Sequence, residues 1–157
     1  MTQKRFVSRW DEFDALTPRA LYEILKLRVD VFVVEQKCPY PEIDGKDYNA
    51  FQLRILDGER LAASLRVLPP EGDGKPAKIG RVVVDADYRG YKLGQRLMRE
   101  AIDFAQAKFP GIAIELGGQS HLQRFYGSFG FAVISDEYLE DGIPHVDMRL
   151  EPQGAAA

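Results

Sequence analysis

Three features of the sequence predict a mixed α/β fold. An apolar, β-branched run at Ile79–Val84 reads as a buried strand, and Leu93, Leu97, Ile102 and Phe104-Ala105 recur at near-helical spacing over Leu93–Phe109. After Pro110-Gly111 a second apolar run, Ile112–Leu116, supplies a strand that can lie beside the first, with the helix as their crossover.

The remaining elements follow in chain order. Thr17-Pro18 is a helix start, with Thr as cap and Pro at the first helical position. Leu21, Ile24-Leu25, Arg28 and Phe32 mark one face of that helix to near Val34. Asn49–Leu56 and Arg60–Leu68 are strand-like runs around Asp57-Gly58, a short-hairpin signal. The segment Pro69–Pro76 is a turn-rich excursion. A short helix over Leu122–Phe129 ends at Gly130, and Phe131–Ile134 and Ile143–Leu150 are closing strands. One domain over residues 1–151 and a disordered tail at 152–157 are expected.

Composition narrows the function classes. The chain has 157 residues, 45% hydrophobic and 29% charged, which is ordinary for a globular protein. A net charge of −3 gives no overall attraction to nucleic acid. A single cysteine permits no internal disulfide, the first residues lack the apolar core of a signal peptide, and no apolar run reaches a membrane span. A cytoplasmic protein with no nucleic-acid or membrane partner is expected. Neither zinc-type Cys/His spacing nor a magnesium-type acidic cluster is present, so no metal site is expected.

The turn Arg89-Gly90-Tyr91-Lys92-Leu93-Gly94 joins the central strand to its helix. Backbone N–H groups without partners, the helix dipole and the charges of Arg89 and Lys92 meet there, which suits a pyrophosphate. The spacing is neither Gly-x-x-x-x-Gly-Lys-Ser/Thr nor Gly-x-Gly-x-x-Gly, so Walker and dinucleotide loops are excluded.

Val82 to Gly94 resembles the acetyl-CoA loop of the GNAT N-acetyltransferases, Gln/Arg-x-x-Gly-x-Gly/Ala, and Gln119 to Phe131 resembles the second signature of that superfamily. Leu27–Gln36, Glu42–Asp47 and Tyr138–His145 are similar to its ElaA-like branch. The resemblance implies a GNAT-like, mostly antiparallel sheet with a splayed parallel strand pair flanked by helices. It also implies an N-acetyltransferase that takes acetyl-CoA as acyl donor and a small-molecule or peptide amine as acceptor, acting as monomer or homodimer. Lys92 departs from the family pattern where the first loop glycine is usual, and Gln119 departs where Asn is common.

By this resemblance Val82, Val83 and Val84 offer backbone groups to the pantetheine arm, one N–H stabilising the oxyanion. Such a donor is worth on the order of 3 kcal/mol. Arg89, Gly90, Tyr91, Lys92, Leu93 and Gly94 hold the pyrophosphate, and Gln119 and His121 add cofactor contacts. Tyr126 protonates the departing thiolate and touches the cofactor; its plain alternative is an aromatic core residue beside Phe125, Phe129 and Phe131. For the base, Glu35, His121, His145 and a water chain are the candidates. Arg28, Phe32 and Glu35 are implied to face the acceptor, in a pocket between Arg28–Asp47 and Tyr138–His145. Glu35 can equally pair with Arg28 or Arg66, and Asp44 and Asp47 can equally be solvated loop charges. Cys38 raises the alternative of an acyl-enzyme, but neither a helix start nor a histidine activates it in sequence. Two other functions stay open: an acyl-CoA-binding regulatory module without turnover, and a longer-chain acyltransferase resembling acylhomoserine lactone synthases.

Overall fold

A computed structural model describes residues 4–152. The tail expected at 152–157 lies, from residue 153 on, outside the described residues. Eight strands are hydrogen-bonded in the order β1-β2-β3-β4-β5-β8-β6, with β7 also on β8. They are β1 (Phe6–Glu12), β2 (Phe51–Asp57), β3 (Arg60–Leu68), β4 (Ala77–Val84), β5 (Ile114–Gln119), β6 (Ala132–Val133), β7 (Tyr138–Glu140) and β8 (Ile143–Leu150). The helices are α1 (Pro18–Arg28), α2 (Leu93–Lys108) and α3 (Gln123–Gly127). The sheet is mostly antiparallel, and its parallel pair is the β4–β5 pair that the sequence predicts, in register as Ala77↔Ile114 and Lys78↔Glu115. Two compact units share the chain: residues up to 66 with 81–97, and residues 67–80 with those from 98 on.

In the first unit, α1 starts where expected, with Thr17 Oγ1 accepting from the Ala20 N–H at 3.1 Å. At Val29 the helix widens into a π-helical stretch, Val29–Glu35, shown by Gln36 N–H donating to Val31 O and Cys38 N–H to Val33 O. The Val-Asp-Val-Phe-Val-Val run is rich in β-branched residues that crowd an α-helical turn, which fits the widening. Ile24, Leu27 and Val31 pack with Leu61 and Val83, so helix and central strand share an apolar cluster. Strand β1, absent from the sequence reading, pairs with β2 from Phe6↔Asp57 to Glu12↔Phe51. It carries charges at Arg9, Asp11 and Glu12, as an edge strand does to discourage further pairing.

This unit also holds a lattice of three arginines and three acids, of which Arg28, Arg66, Glu42 and Asp47 are buried while Arg81 and Asp44 reach solvent. Arg28, 1% exposed, donates from Nε to Glu42 and from both terminal nitrogens to Asp47. Arg66 holds Asp44 at 2.6–2.9 Å and lies 3.2 Å from Asp47. Arg81 meets Glu42 at 2.6 Å and Asp44 at 3.3 Å, while Gln52 donates to Asp47. Three positive and three negative charges balance, and the buried four, two of each sign, balance among themselves, which is what allows them out of water together.

In the second unit, β5 and β8 pair from Ile114↔Leu150 to Gln119↔His145. Strand β7, also absent from the sequence reading, closes on β8 through Asp141-Gly142, where both residues have positive φ (50° and 81°) as a primed two-residue hairpin turn requires. Met98, Ala101 and Ala105 of α2 are buried, as are Ile114, Leu116, Val146 and Met148.

The lattice makes stability depend on acid. The Arg66 hydrogen bonds hold the Asp44 carboxyl well below the usual carboxylate range. Burial pushes Asp47 up, but the bonds from Arg28 and the charge of Arg66 leave it lowered on balance. Because both folded values are depressed, their stabilisation is present above the unfolded value of about 3.9 and is lost as pH falls below it. Urea unfolding measured between pH 7 and pH 2 is expected to show this loss, and Asp44→Asn to flatten it. An equally steep loss in Asp44→Asn would contradict the assignment.

Candidate functional site

The strand-to-helix turn in the first unit is built by local hydrogen bonding. Val83 is buried in the apolar cluster, and the Asp85 N–H donates to Ala62 O at 2.8 Å, which fixes the end of β4. Asp85 accepts from the Asp87 N–H and caps a short 3-10 turn, Ala86–Tyr88. Tyr88 is buried, with its hydroxyl on Asp57 at 2.6 Å. The ring of Phe6 takes Tyr88 and Tyr91 edge-on at 5.9 and 5.5 Å, and Arg96 donates to Phe6 O and Ser8 Oγ. Strand β1 therefore braces the turn.

Two residues of the turn are left-handed: Gly90, with φ 97°, and Lys92, with φ 58°. Lys92 keeps the glycine-type conformation at the position where the family pattern has glycine. That conformation costs a non-glycine residue roughly 1–2 kcal/mol. Lys92 closes onto α2, its carbonyl accepting from the Arg96 N–H at 3.2 Å. The first N–H groups of α2 follow at once, with the positive end of the helix dipole. Lys92 is exposed, so its ammonium is open to solvent. The donor set fits a diphosphate: backbone N–H groups at a helix start, an exposed ammonium and a guanidinium.

That guanidinium, Arg89, is held by another predicted residue. Arg89 Nη2 donates to Glu35 Oε2 at 2.8 Å and lies 3.5 Å from Val84 O. Glu35 thus pairs with Arg89, where the sequence left Arg28 or Arg66 as its partners. Phe32 packs against the apolar cluster, and Arg28 sits inside the ionic lattice with Asp47. Asp44 belongs to the same lattice. Cys38 is buried. Also in the first unit, a cleft of ≈ 1050 Å³ opens beside α1 and the β2–β3 hairpin, and pairs such as Lys26–Asp30 and Arg60–Asp85 lie among its lining residues.

The second unit holds the other predicted residues. Tyr126 lies in α3, 7% exposed, in edge contact with Phe125. Gly118 makes its room, since a Cβ there would lie 2.9 Å from the Tyr126 ring. Burial alone pushes the Tyr126 phenol up to about 12. Its hydroxyl has no hydrogen-bond partner among the described residues, although the ring is enclosed. Gln119 ends β5 opposite His145, and His121 is exposed in the 3-10 turn that follows. His145 lies 2.7 Å from Ile143 O through Nδ1, and because a carbonyl only accepts, Nδ1 carries the proton. The other ring nitrogen is 3.4 Å from Glu140 Oε2, and the ring stacks on Tyr138. The Tyr138 hydroxyl donates to Asp147 at 2.6 Å, and burial, with that bond, raises its pKa.

Comparison with known proteins places these features. Residues 29–152 match the model of an acetyltransferase (GNAT) domain. The chain belongs to the GNAT acetyltransferase family. It is 44% identical over 138 residues to the protein ElaA of Escherichia coli, covering 87% of this chain and 90% of ElaA. A UPF0039 protein of Schizosaccharomyces pombe is 42% identical over 153 residues, covering 96% of this chain and 99% of its own. The crystal structure of an acyl-CoA N-acyltransferase from Pseudomonas aeruginosa superposes with a TM-score of 0.87 at 40% identity, covering 93% of this chain and 99% of that one. The GNAT fold and the ElaA-like branch expected from the motifs are thus shown, and the protein is an N-acyltransferase of a family that uses acyl-CoA donors. Among the described residues no helix is long and apolar enough to cross a membrane.

Sequence reasoning did not single out Gly118, Arg81 or the partners of Glu42. The adjacent pair Gly117-Gly118 inside a strand was the available signal, since glycine in a strand marks a close approach. A methyl group at Gly118 must displace the Tyr126 ring. Gly118→Ala is therefore expected to lower the unfolding free energy by about 1–3 kcal/mol, read by urea denaturation. Wild-type stability in that variant would show that the ring is not confined.

Proposed function

We propose that the protein moves an acetyl group from acetyl-CoA to a primary amine by direct attack in a ternary complex. The observation that carries this reading is the turn from Val84 to Leu93. It presents left-handed Gly90 and Lys92, a guanidinium and the open first turn of α2 within one short stretch. In the reaction the deprotonated amine attacks the thioester carbonyl carbon, the C–S bond breaks, and the thiolate leaves with a proton from the enzyme. Main-chain groups of Val82 and Val84 pair with the donor, and an N–H of this strand stabilises the oxyanion. Gln119 and His121 are proposed as further cofactor contacts and His145 as a base. Its Nδ1 donates to Ile143 O, and its other ring nitrogen stands 3.4 Å from Glu140 Oε2.

Tyr126 is proposed as the acid on the strength of the family signature and of a hydroxyl with no hydrogen-bond partner among the described residues. A phenol at about 12 stays protonated at every physiological pH. It also lies roughly three units above a free thiol. Full proton transfer to a solvated thiolate is therefore uphill. Tyr126 first hydrogen-bonds the developing charge, and the proton moves as the sulfur, desolvated, grows more basic.

Glu35 competes with the donor. The Arg89–Glu35 pair is half-exposed on both sides, so it is weak and easily exchanged for phosphate. Acetylation of the acceptor amine follows from this arrangement only while Arg89 is free to turn from Glu35. The second function left open by the sequence, binding without turnover, is separated by the same assay.

Thiol release from acetyl-CoA with a panel of primary amines tests the reaction. Tyr126→Phe is expected to lower kcat by about 10²-fold or more, with CoA affinity unchanged. In the wild type kcat/KM should rise as the amine deprotonates and show no fall from Tyr126 below about pH 11. Release that survives Tyr126→Phe removes the acid role, and CoA binding without release for any amine favours the regulatory module. In calorimetric titration, Glu35→Gln should bind CoA about two- to fivefold more tightly, and that gain should vanish when Arg89 is Gln. Weaker binding in Glu35→Gln would contradict competition.

A further inference from the structure

Arg81 is one of the non-glycine residues of the first unit with positive φ, and it lies within a strand. It lies inside β4 with φ 52°, a left-handed conformation that side chains other than glycine adopt only under constraint. Its side chain supplies the constraint. Nε lies 2.6 Å from Glu42 Oε1, and Nη2 donates to Glu42 O at 2.9 Å and approaches Asp44 Oδ2 at 3.3 Å. The guanidinium also lies over the Tyr40 ring at 5.6 Å.

Both carboxylates are fixed by other arginines. Glu42, 3% exposed, is shared with Arg28, and Asp44 is gripped bidentately by Arg66. Arg81 is therefore tied to groups that cannot relax toward it without opening the lattice. Two residues further on, Val83 is locked in the apolar cluster, and after Val84 the Asp85 N–H is bonded to Ala62 O. The strand is pinned at residue 81 by its side chain, at 83 by packing and at 85 by its backbone. Between these pins lie Val82 and Val84, whose main chain the proposed reaction uses.

We infer that Arg81 is a positioning residue, held by Glu42 and Asp44, that sets the backbone of Val82–Val84 for the acyl donor. This inference rests on the proposed function and names what aims its strand. It also assigns a task to the Glu42–Asp47 segment: its acids hold the guanidinium that fixes the strand. Arg81 itself touches no reacting atom in this scheme. Its effect is felt through main-chain geometry, where a displacement of an ångström is enough to slow a reaction by on the order of 10²-fold.

The test uses two variants of the full chain, Arg81→Lys and the double variant Arg81→Gln with Glu42→Gln, which avoids leaving one carboxylate short of a partner. Thermal melting establishes that each is folded; kcat, KM for acetyl-CoA and amide hydrogen exchange at Val82, Val83 and Val84 are then measured. The double variant is expected to lose about 10- to 100-fold in kcat with KM changed by less than about threefold. Its three amides should exchange at least about tenfold faster, since the opening free energy of a strand falls when a pin is removed. Arg81→Lys, which keeps the charge and one contact, should recover most of both losses.

A merely structural role predicts a lower melting temperature with kcat per folded molecule and exchange at these amides unchanged. That result would overturn the inference. If the double variant does not fold, Arg81→Lys alone decides: it should lose about three- to tenfold in kcat at constant KM, since it keeps only part of the anchorage. Wild-type kcat in Arg81→Lys would then overturn the inference. If the wild type releases no thiol with any amine, the proposed function fails, and the exchange comparison still decides whether Arg81 orders the strand.

Discussion

The first unit depends on the mutual neutralisation of Arg28, Arg66 and Arg81 by Glu42, Asp44 and Asp47. None of the four buried members, Arg28, Arg66, Glu42 and Asp47, could be buried alone, because a lone charge in this interior would cost several kcal/mol. Together they impose a geometry. The segment that follows the π-helical stretch must return over β3 and β4 to bring its acids to Arg66 and Arg81, and Arg28 must face inward from the last turn of α1. Hydrophobic packing of Ile24, Leu27 and Val31 sets the helix on the same strands, so apolar and ionic constraints agree. Such lattices are weak arguments for net stability and better ones for uniqueness of geometry. Here the geometry fixed is that of β4, the strand that leads into the turn before α2.

The turn shows how specialised backbone is held in place by its surroundings. Lys92 sits in a conformation that glycine would adopt freely, and it does so between two braces: Tyr88 and Tyr91 against Phe6 on one side, and Arg96 tied to β1 on the other. The gain from lysine at this position is an exposed ammonium beside the start of α2. Arg89 holds its guanidinium more loosely, in a half-exposed pair with Glu35. In the second unit, Tyr126 combines an enclosed ring with a hydroxyl that has no hydrogen-bond partner among the described residues.

Much of this was legible in the sequence, and the illegible parts have physical causes. Thr17-Pro18 announced α1 because capping is local chemistry, and Ile79–Val84 announced β4 because a buried strand is an apolar run. The hairpin at Gly58 falls one residue later than the Asp57-Gly58 signal suggests, since Asp57 is the last residue of β2. Strand β1 escaped because charged residues on an edge strand hide the alternation that its partner β2 imposes. Strand β7 had a signal of the same kind as Gly58, Asp141-Gly142, flanked by too few residues for periodicity to show. The π-helical widening gives no distinct pattern beyond its β-branched residues. The lattice was hidden for a different reason: Arg28, Asp44 and Asp47 read as ligand or loop charges until the fold shows that they belong to one ionic lattice. For Lys92, sequence shows only the departure from glycine; its φ is a tertiary fact.

The central claim is that the stretch from Val82 to Gly94 grips an acyl-CoA. The most direct measurement is a crystal structure of the full chain grown with CoA. The diphosphate should lie against the backbone N–H groups at the start of α2 with Lys92 beside it, Arg89 should have turned from Glu35 toward a phosphate oxygen, and the pantetheine should run along the main chain of Val82–Val84. A CoA bound elsewhere, with the Arg89–Glu35 pair intact and the turn untouched, would contradict it.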